Sequence, residues 1–289
     1  MASKATAAPT PAWEDVSAPG TTIEVDMVAV AESVSLRVTT FSPAVPSSNP
    51  TVIFISGWIS QVHSWEHALR DMTRDFTVHY VDTREKATSR IRGKTEYGVE
   101  AVARDIVQIV SHFGLKSGKY IIIGSSLGAT AGIDALRMLP AYPRCLALVG
   151  TNATFRVPLW GRILVTLFPP RLYLIIKPFI KWYLRHFRLD PEHGLIQHQK
   201  YSQNLDAADP WKLRKACLAL AAYAVWDYLP LVNVPTLVFG ASRDTLHDPG
   251  NIHKIVAGIE GSIYLDLETN ERTHSAEMVV ELRKFLAGI

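Results

Sequence analysis

In Gly124-Ser125-Ser126-Leu127-Gly128 a serine stands two residues from a glycine on either side. A serine hydroxyl is a weak nucleophile near neutral pH and becomes a useful one when an adjacent base takes its proton. Glycine and serine are common, so the pattern means little by itself. Here it directly follows the apolar run Tyr120–Ile123 and opens a helical stretch over Leu127–Met138. A sharp strand-to-helix turn forces its central residue into a strained conformation and lifts that side chain above the sheet. Glycine is then needed on both flanks, because a Cβ there would strike the neighbouring chain. Ser126 is therefore the candidate nucleophile, and Ser125, one residue early, should face away. The competing reading of Ser126 is a helix N-cap in a glycine-rich turn.

At such an elbow the partners follow in the order carboxylate, then imidazole. Asp244 falls just past the predicted strand Thr236–Phe239, where a carboxylate can orient an imidazole and stabilise its protonated form. Asp248 competes for that role, but it precedes Pro249 and reads as a helix cap. His274 ends the loop after the predicted strand Ser262–Leu267, immediately before the last helix. The other histidines beyond Asp244, His247 and His253, sit in or beside a helix start. The oxyanion of an acyl-transfer intermediate needs two N–H donors. One is expected from Leu127, directly after the nucleophile, the other from Trp58, since Gly57 lets the chain turn sharply after the strand Thr51–Ile55.

The elements that must position these groups are legible as hydrophobic patterns. Thr22–Val30 and Val34–Phe41 read as an antiparallel hairpin, the second run alternating apolar and polar residues. Thr51–Ile55 is a continuous apolar run, as in a strand buried on both faces. Strand and helix then alternate: helix Trp65–Arg74, strand Thr77–Val81, helix Val99–Phe113, strand Tyr120–Ile123, helix Leu127–Met138, strand Cys145–Val149. After Leu229 the alternation resumes, with strand Thr236–Phe239, helix Asn251–Val256, strand Ser262–Leu267 and helix Ser275–Leu286. This order predicts a mostly parallel, doubly wound sheet. Residues 151–229 interrupt it with apolar, aromatic, helical patterns and are expected to form an inserted cap over the carboxyl ends of the strands. The core would then comprise 21–150 and 230–289, with 1–20 a mobile tail rich in Ala, Pro, Thr and Ser.

The composition excludes several classes. The chain has 289 residues, 48% hydrophobic and 20% charged, with a formal net charge of +3. That supports a single large core and argues against disorder and against nucleic-acid binding. Cys145 and Cys217 lie far apart with no metal-ligand spacing, so no metal or other cofactor is expected. Two free thiols fit a reducing, cytoplasmic setting. The first 20 residues contain no apolar stretch of signal-peptide length, and no window supplies the roughly 20 apolar residues of a spanning helix.

These residues resemble the α/β-hydrolase superfamily from about Thr51 to the C-terminus, with the cap the least alike. The resemblance implies an eight-stranded sheet and an acyl-enzyme mechanism on esters, amides, thioesters or similar bonds. Three positions depart from the common pattern. Ser56-Gly57 replaces His-Gly, Thr273 replaces the glycine before the catalytic histidine, and Asp82-Thr83-Arg84-Glu85-Lys86-Ala87-Thr88-Ser89 lacks both glycines of the usual Asp-x-x-Gly-x-Gly-x-Ser loop. Haloalkane dehalogenases and many epoxide hydrolases carry aspartate at the elbow, and Ser126 argues against both.

The cap adds a substrate preference. Phe155–Leu189 carries seven Arg or Lys, among many apolar and aromatic residues, and no acid before Asp190. This composition fits peripheral contact with a membrane surface, or a cap packed on the core with its arginines reaching to water. Either way the pocket roof is apolar, and Trp65, Phe155, Trp160 and Trp226 are candidate walls. The expected function is hydrolysis of a carboxylic ester of a lipophilic small molecule. The alternatives are acyl transfer or carbon–carbon bond hydrolysis by the same triad, and a non-catalytic ligand-binding protein on the same fold. The sequence sets no oligomeric state.

Overall fold

The computed structural model describes residues 13–155, 159–167, 169–188, 195–221, 223–243 and 249–289. The chain opens with a hairpin, β1 (Thr22–Ala31) and β2 (Val34–Ser42), followed by β3 (Thr51–Ile55), α1 (Glu66–Met72), β4 (Val78–Val81) and the two-residue β5 (Arg90–Ile91). Next come α2 (Val99–His112), β6 (Tyr120–Ser125), α3 (Leu127–Ala135) and β7 (Leu146–Val149). Four helices then break the alternation: α4 (Leu159–Leu167), α5 (Leu172–Tyr183), α6 (Leu195–Ala207) and α7 (Pro210–Leu220). The chain closes with β8 (Thr236–Gly240), α8 (Pro249–Gly258), β9 (Ile263–Asp266), the short α9 (Asn270–Thr273) and α10 (Ala276–Ala287).

Eight strands lie in the order β1-β2-β4-β3-β6-β7-β8-β9, and β5 pairs with β2. The hairpin and the β2–β4 pair are antiparallel; every pair from β4 to β9 is parallel. The chain leaves β3 towards β4 on one side and returns to β6 on the other. Open parallel sheets bind ligands at such a reversal, beyond the carboxyl ends of the two strands. The loops that leave β3 and β6 there carry Gly57-Trp58 and Ser126.

The unbroken apolar runs have a simple origin. Side chains alternate across a strand, so a strand covered by helices on both faces needs apolar residues at every position. Ile53 and Ile55 of β3 join Tyr120 and Ile122 of β6 in one core cluster, while Val52 and Phe54 join Ile121 and Ile123 in the other. Helices α2 and α3 cover the first face, α1 and α10 the second. Each such side chain contributes about 1.5–3 kcal/mol by leaving water.

The structure corrects two expectations. Residues 13–20 are not a mobile tail. Trp13–Val16 forms a 3-10 turn, Val16 is buried in the second cluster, and the Ala18 N–H donates to Thr73 Oγ1 at 2.8 Å. Trp13 also meets Phe41 edge-on, which anchors an otherwise polar segment by one aromatic side chain. The second correction is β5, which the sequence pattern did not predict. Two residues are too few to show a period, and only their pairing with Val34 and Ser35 makes them a strand. Cys145 and Cys217 are both free thiols, as expected, but where two buried thiols were expected only Cys145 is buried and Cys217 is half-buried; burial pushes the Cys145 thiol up to about 12.

Candidate active site

Ser126 sits at the bend between β6 and α3 with φ 48° and ψ −108°. An L-residue pays about 1–3 kcal/mol for a backbone in such a region, and it persists only where the surroundings enforce it. The enforcement is visible. A Cβ on Gly128 would lie 2.1 Å from the Ile55 carbonyl oxygen, and one on Gly124 would lie 2.5 Å from the Ala129 backbone. The two glycines therefore let α3 press against β3 and β6 at a distance no other residue allows. The Ser126 N–H donates to the Val149 carbonyl at 2.9 Å, fixing the bend to β7. Ser125 is buried and Ser126 half-exposed.

His274 follows α9, beyond β9. Its Nδ1 lies 2.8 Å from the Asn270 carbonyl oxygen and 3.0 Å from Thr273 Oγ1. A carbonyl only accepts, so in the neutral ring Nδ1 carries the proton and Nε2 keeps its lone pair, the tautomer a general base needs. The ring stacks on Trp65 with centroids 3.9 Å apart and planes at 26°. Trp65 is fully buried, and its indole N–H donates to Ser60 Oγ at 3.2 Å, so the imidazole rests on a rigid floor. A cavity of about 20 Å³ reaches His274 from the elbow, lined by Ser125, Val149, Gly150, Phe239, Ile252 and Asn270 among others.

The remaining expected residues divide. Leu127 and Trp58 stand at the starts of α3 and of the loop after β3. Among the described residues neither backbone N–H donates to a protein acceptor. Phe155 and Trp226 are half-buried against the first core cluster. Trp226 faces a separate, open recess of about 620 Å³, shared with Thr154, Leu229, Pro230, Asn251, Lys254 and Gly258. That recess touches neither Ser126 nor His274. Trp160 lies in α4, but its side chain is outside the described residues, as are Asp244 and Asp248.

Two sets of residues were missed by the sequence reading. The first is Asn152, after β7. Its side-chain amide donates to Ser126 Oγ at 3.0 Å, and its backbone carbonyl lies 2.6 Å from Thr130 Oγ1, itself 3.1 Å from the Ser126 carbonyl. Its place just past a strand end, like that of Asp244, was the available signal. Asn152→Leu keeps the branched outline of the side chain and removes the donor. It is expected to lower kcat/KM about tenfold, the effect of losing ~1.4 kcal/mol, with a parallel slowing of active-site labelling. Labelling as fast as wild type would show the amide to be a bystander.

The second set is the loop after β4, where the glycines of the familiar pattern are absent. Charge replaces them. Lys86 is buried, and its Nζ donates to the Gly57 carbonyl and to Glu85 Oε1, both at 2.8 Å. The same Glu85 oxygen accepts from the Ile59 N–H at 3.2 Å and from Thr83 Oγ1 at 2.8 Å. Burial opposes the charge on Glu85, but the charge and hydrogen bonds of Lys86 outweigh it and hold the carboxyl below its usual range. Arg84 forks onto Asp105 with two 2.7 Å bonds, and Arg37 and Thr88 both meet Asp82 at 2.7 Å. The loop is thus fixed by ion pairs.

Helices α6 and α7 are tied to these same loops. Asn204 of α6, itself buried, accepts from the Gln61 N–H at 3.0 Å and bonds Ser64. Lys212 of α7 donates to the carbonyls of Lys86 and Ser89 at 2.8 and 2.7 Å.

A family model described as alpha/beta hydrolase fold matches residues 50–193. No curated protein matches the sequence. Among solved structures, a hydrolase from Pseudomonas aeruginosa PA01 is 18% identical with a TM-score of 0.74, covering 91% of this chain and 98% of that one. The enol-lactonase from Burkholderia xenovorans LB400 is 17% identical with a TM-score of 0.75, covering 90% and 99%. A thermophilic esterase from Thermogutta terrifontis is 18% identical with a TM-score of 0.73, covering 92% and 98%. At these identities the likeness is one of fold.

Proposed function

Since the chain belongs to the alpha/beta hydrolase fold family, we propose that it is a serine hydrolase that cleaves carboxylic esters with an apolar acyl or alcohol part. The observation that carries this reading is the forced backbone of Ser126, φ 48° and ψ −108°. A fold spends stability on such a conformation where the side chain has a task. In the proposed reaction Ser126 Oγ attacks the ester carbonyl while His274 Nε2 takes its proton. The N–H groups of Leu127 and Trp58 receive the oxyanion. His274 returns the proton to the leaving alcohol, then activates a water that releases the acid from the acyl-enzyme. Asp244, from its place after β8, is the carboxylate assigned to the imidazole. The apolar preference is supported by Val149, Phe239 and Ile252 around the cavity.

A fluorophosphonate tests the assignment directly, because it phosphonylates only an activated serine. Labelling should map to Ser126 and slow at least about a hundredfold in His274→Ala, within the range general-base catalysis supplies. Absence of labelling in folded wild-type protein would leave a ligand-binding role.

A further inference from the structure

The helix α5 is apolar on its outer face as well as its inner one. Leu174, Ile175, Phe179, Trp182 and Tyr183 recur at helical spacing, three and four residues apart, which would ordinarily mark the buried face. All five are exposed, Ile175 at 76% and Phe179 at 61%, and no residue of α5 is buried. The lysines of the same helix turn towards the protein: Lys177 and Lys181 meet Asp206 of α6 at 2.8 and 2.6 Å. The ridge continues into the following π turn, Leu184–Arg188, where Phe187 is 63% exposed and stacks on Tyr183. Phe179 and Trp182 stack in the same way.

We propose that this ridge docks on an anionic lipid bilayer. Charge selects the occupant. Phe155–Leu189 contains no acid, and among its described residues Arg162, Arg171 and Arg185 are exposed, the last two at the ends of the ridge. A second copy of the chain meeting this face across a two-fold axis would set like charges against each other. Phosphate headgroups instead complement the arginines while acyl chains receive the ridge. The twelve residues of α5 span about 18 Å, enough to lie in the interface plane, and no helix among the described residues is long and apolar enough to cross a membrane. Trp and Tyr at one end suit the boundary between headgroups and acyl chains. Docking rests on the cap alone and goes beyond the proposed chemistry; it would set a lipophilic ester next to the site.

The test is co-sedimentation of the full chain with phosphatidylcholine vesicles, with and without one-third phosphatidylglycerol. Binding should be at least about tenfold tighter to the anionic vesicles and weaken as salt is raised. Ile175→Asp/Phe179→Asp should lose at least about tenfold of that binding while hydrolysing a short soluble ester like wild type, which also reports that it folds. Arg171→Glu/Arg185→Glu should lose the preference for anionic lipid. Ser126→Ala should bind vesicles like wild type, so that failure of the chemistry and failure of docking are read separately. The proposal is overturned if wild type ignores anionic vesicles, if the Asp variant binds them equally, or if light scattering shows a dimer that the Asp variant dissociates.

Discussion

Ser126→Ala should abolish turnover of a chromogenic ester, with a fall of at least about 10⁴-fold in kcat, while leaving the fold as stable as wild type. The two halves of this expectation have different causes. In the proposed reaction the hydroxyl forms the acyl bond, so no neighbour substitutes for it. Alanine retains the Cβ, so the strained φ of 48° stays strained. Ser126→Gly separates the two effects. Glycine adopts this backbone freely, and the variant should gain about 1 kcal/mol in a denaturant titration while remaining inactive. Equal stability of the alanine and glycine variants would mean that the bend stores no strain, and the structural case for a nucleophile would lose its support. Residual ester turnover near wild type in either variant would move the reaction to another residue.

The second large effect is expected from Lys86, which touches no reacting atom. A trans peptide is planar, with its N–H opposed to its C=O, and no cis bond occurs among the described residues. Lys86 Nζ and the Ser60 N–H both hold the Gly57 carbonyl, at 2.8 and 3.1 Å. The Trp58 N–H must then point the opposite way. Gly57 itself packs on the elbow, since a Cβ there would lie 3.4 Å from Ser126 Cβ. On the proposed mechanism Lys86 is in this way a positioning residue for the Trp58 N–H. Lys86→Met should lower kcat by roughly 10²–10³, the cost of one misaligned donor. It should also cost about 3–5 kcal/mol of stability, because Glu85 keeps a buried charge without its partner. A double variant, Glu85→Gln/Lys86→Met, tells positioning from mere stability. The glutamine oxygen can still accept from Ile59 and Thr83, and no lone charge remains. Stability should return most of the way, with kcat still low and KM within about twofold of wild type, as for a group that acts mainly in the transition state. Recovery of kcat together with stability would reduce Lys86 to a structural role.

Membrane docking, if the vesicle experiments bear it out, would join these two parts of the molecule. Asn204 of α6 and Lys212 of α7 already bind the loops that hold Trp58 and Lys86. Asp206, two residues past Asn204, carries both lysines of α5. Helix α5 and the loop after β3 are therefore connected through α6 by named bonds rather than by proximity alone.

The sequence by itself determined what depends on local pattern. Continuous apolar runs specify strands buried on two faces, and the reading of β3, β6, β7 and β8 needed no partner. The elbow was equally local, because glycine, serine and glycine at fixed offsets between a strand and a helix admit few backbones. The tertiary structure decided whatever depends on groups remote in sequence. Nothing near Lys86 announces that its ammonium ends on Gly57, twenty-nine residues earlier, and Asn152 reaches Ser126 across two strands. The orientation of α5 was also undecided. Its period shows an apolar face whichever way the helix is rolled, and only the pairing of Lys177 and Lys181 with Asp206 turns that face to the outside. Periodicity reports that a helix has two sides; contacts from elsewhere in the chain choose which one meets solvent.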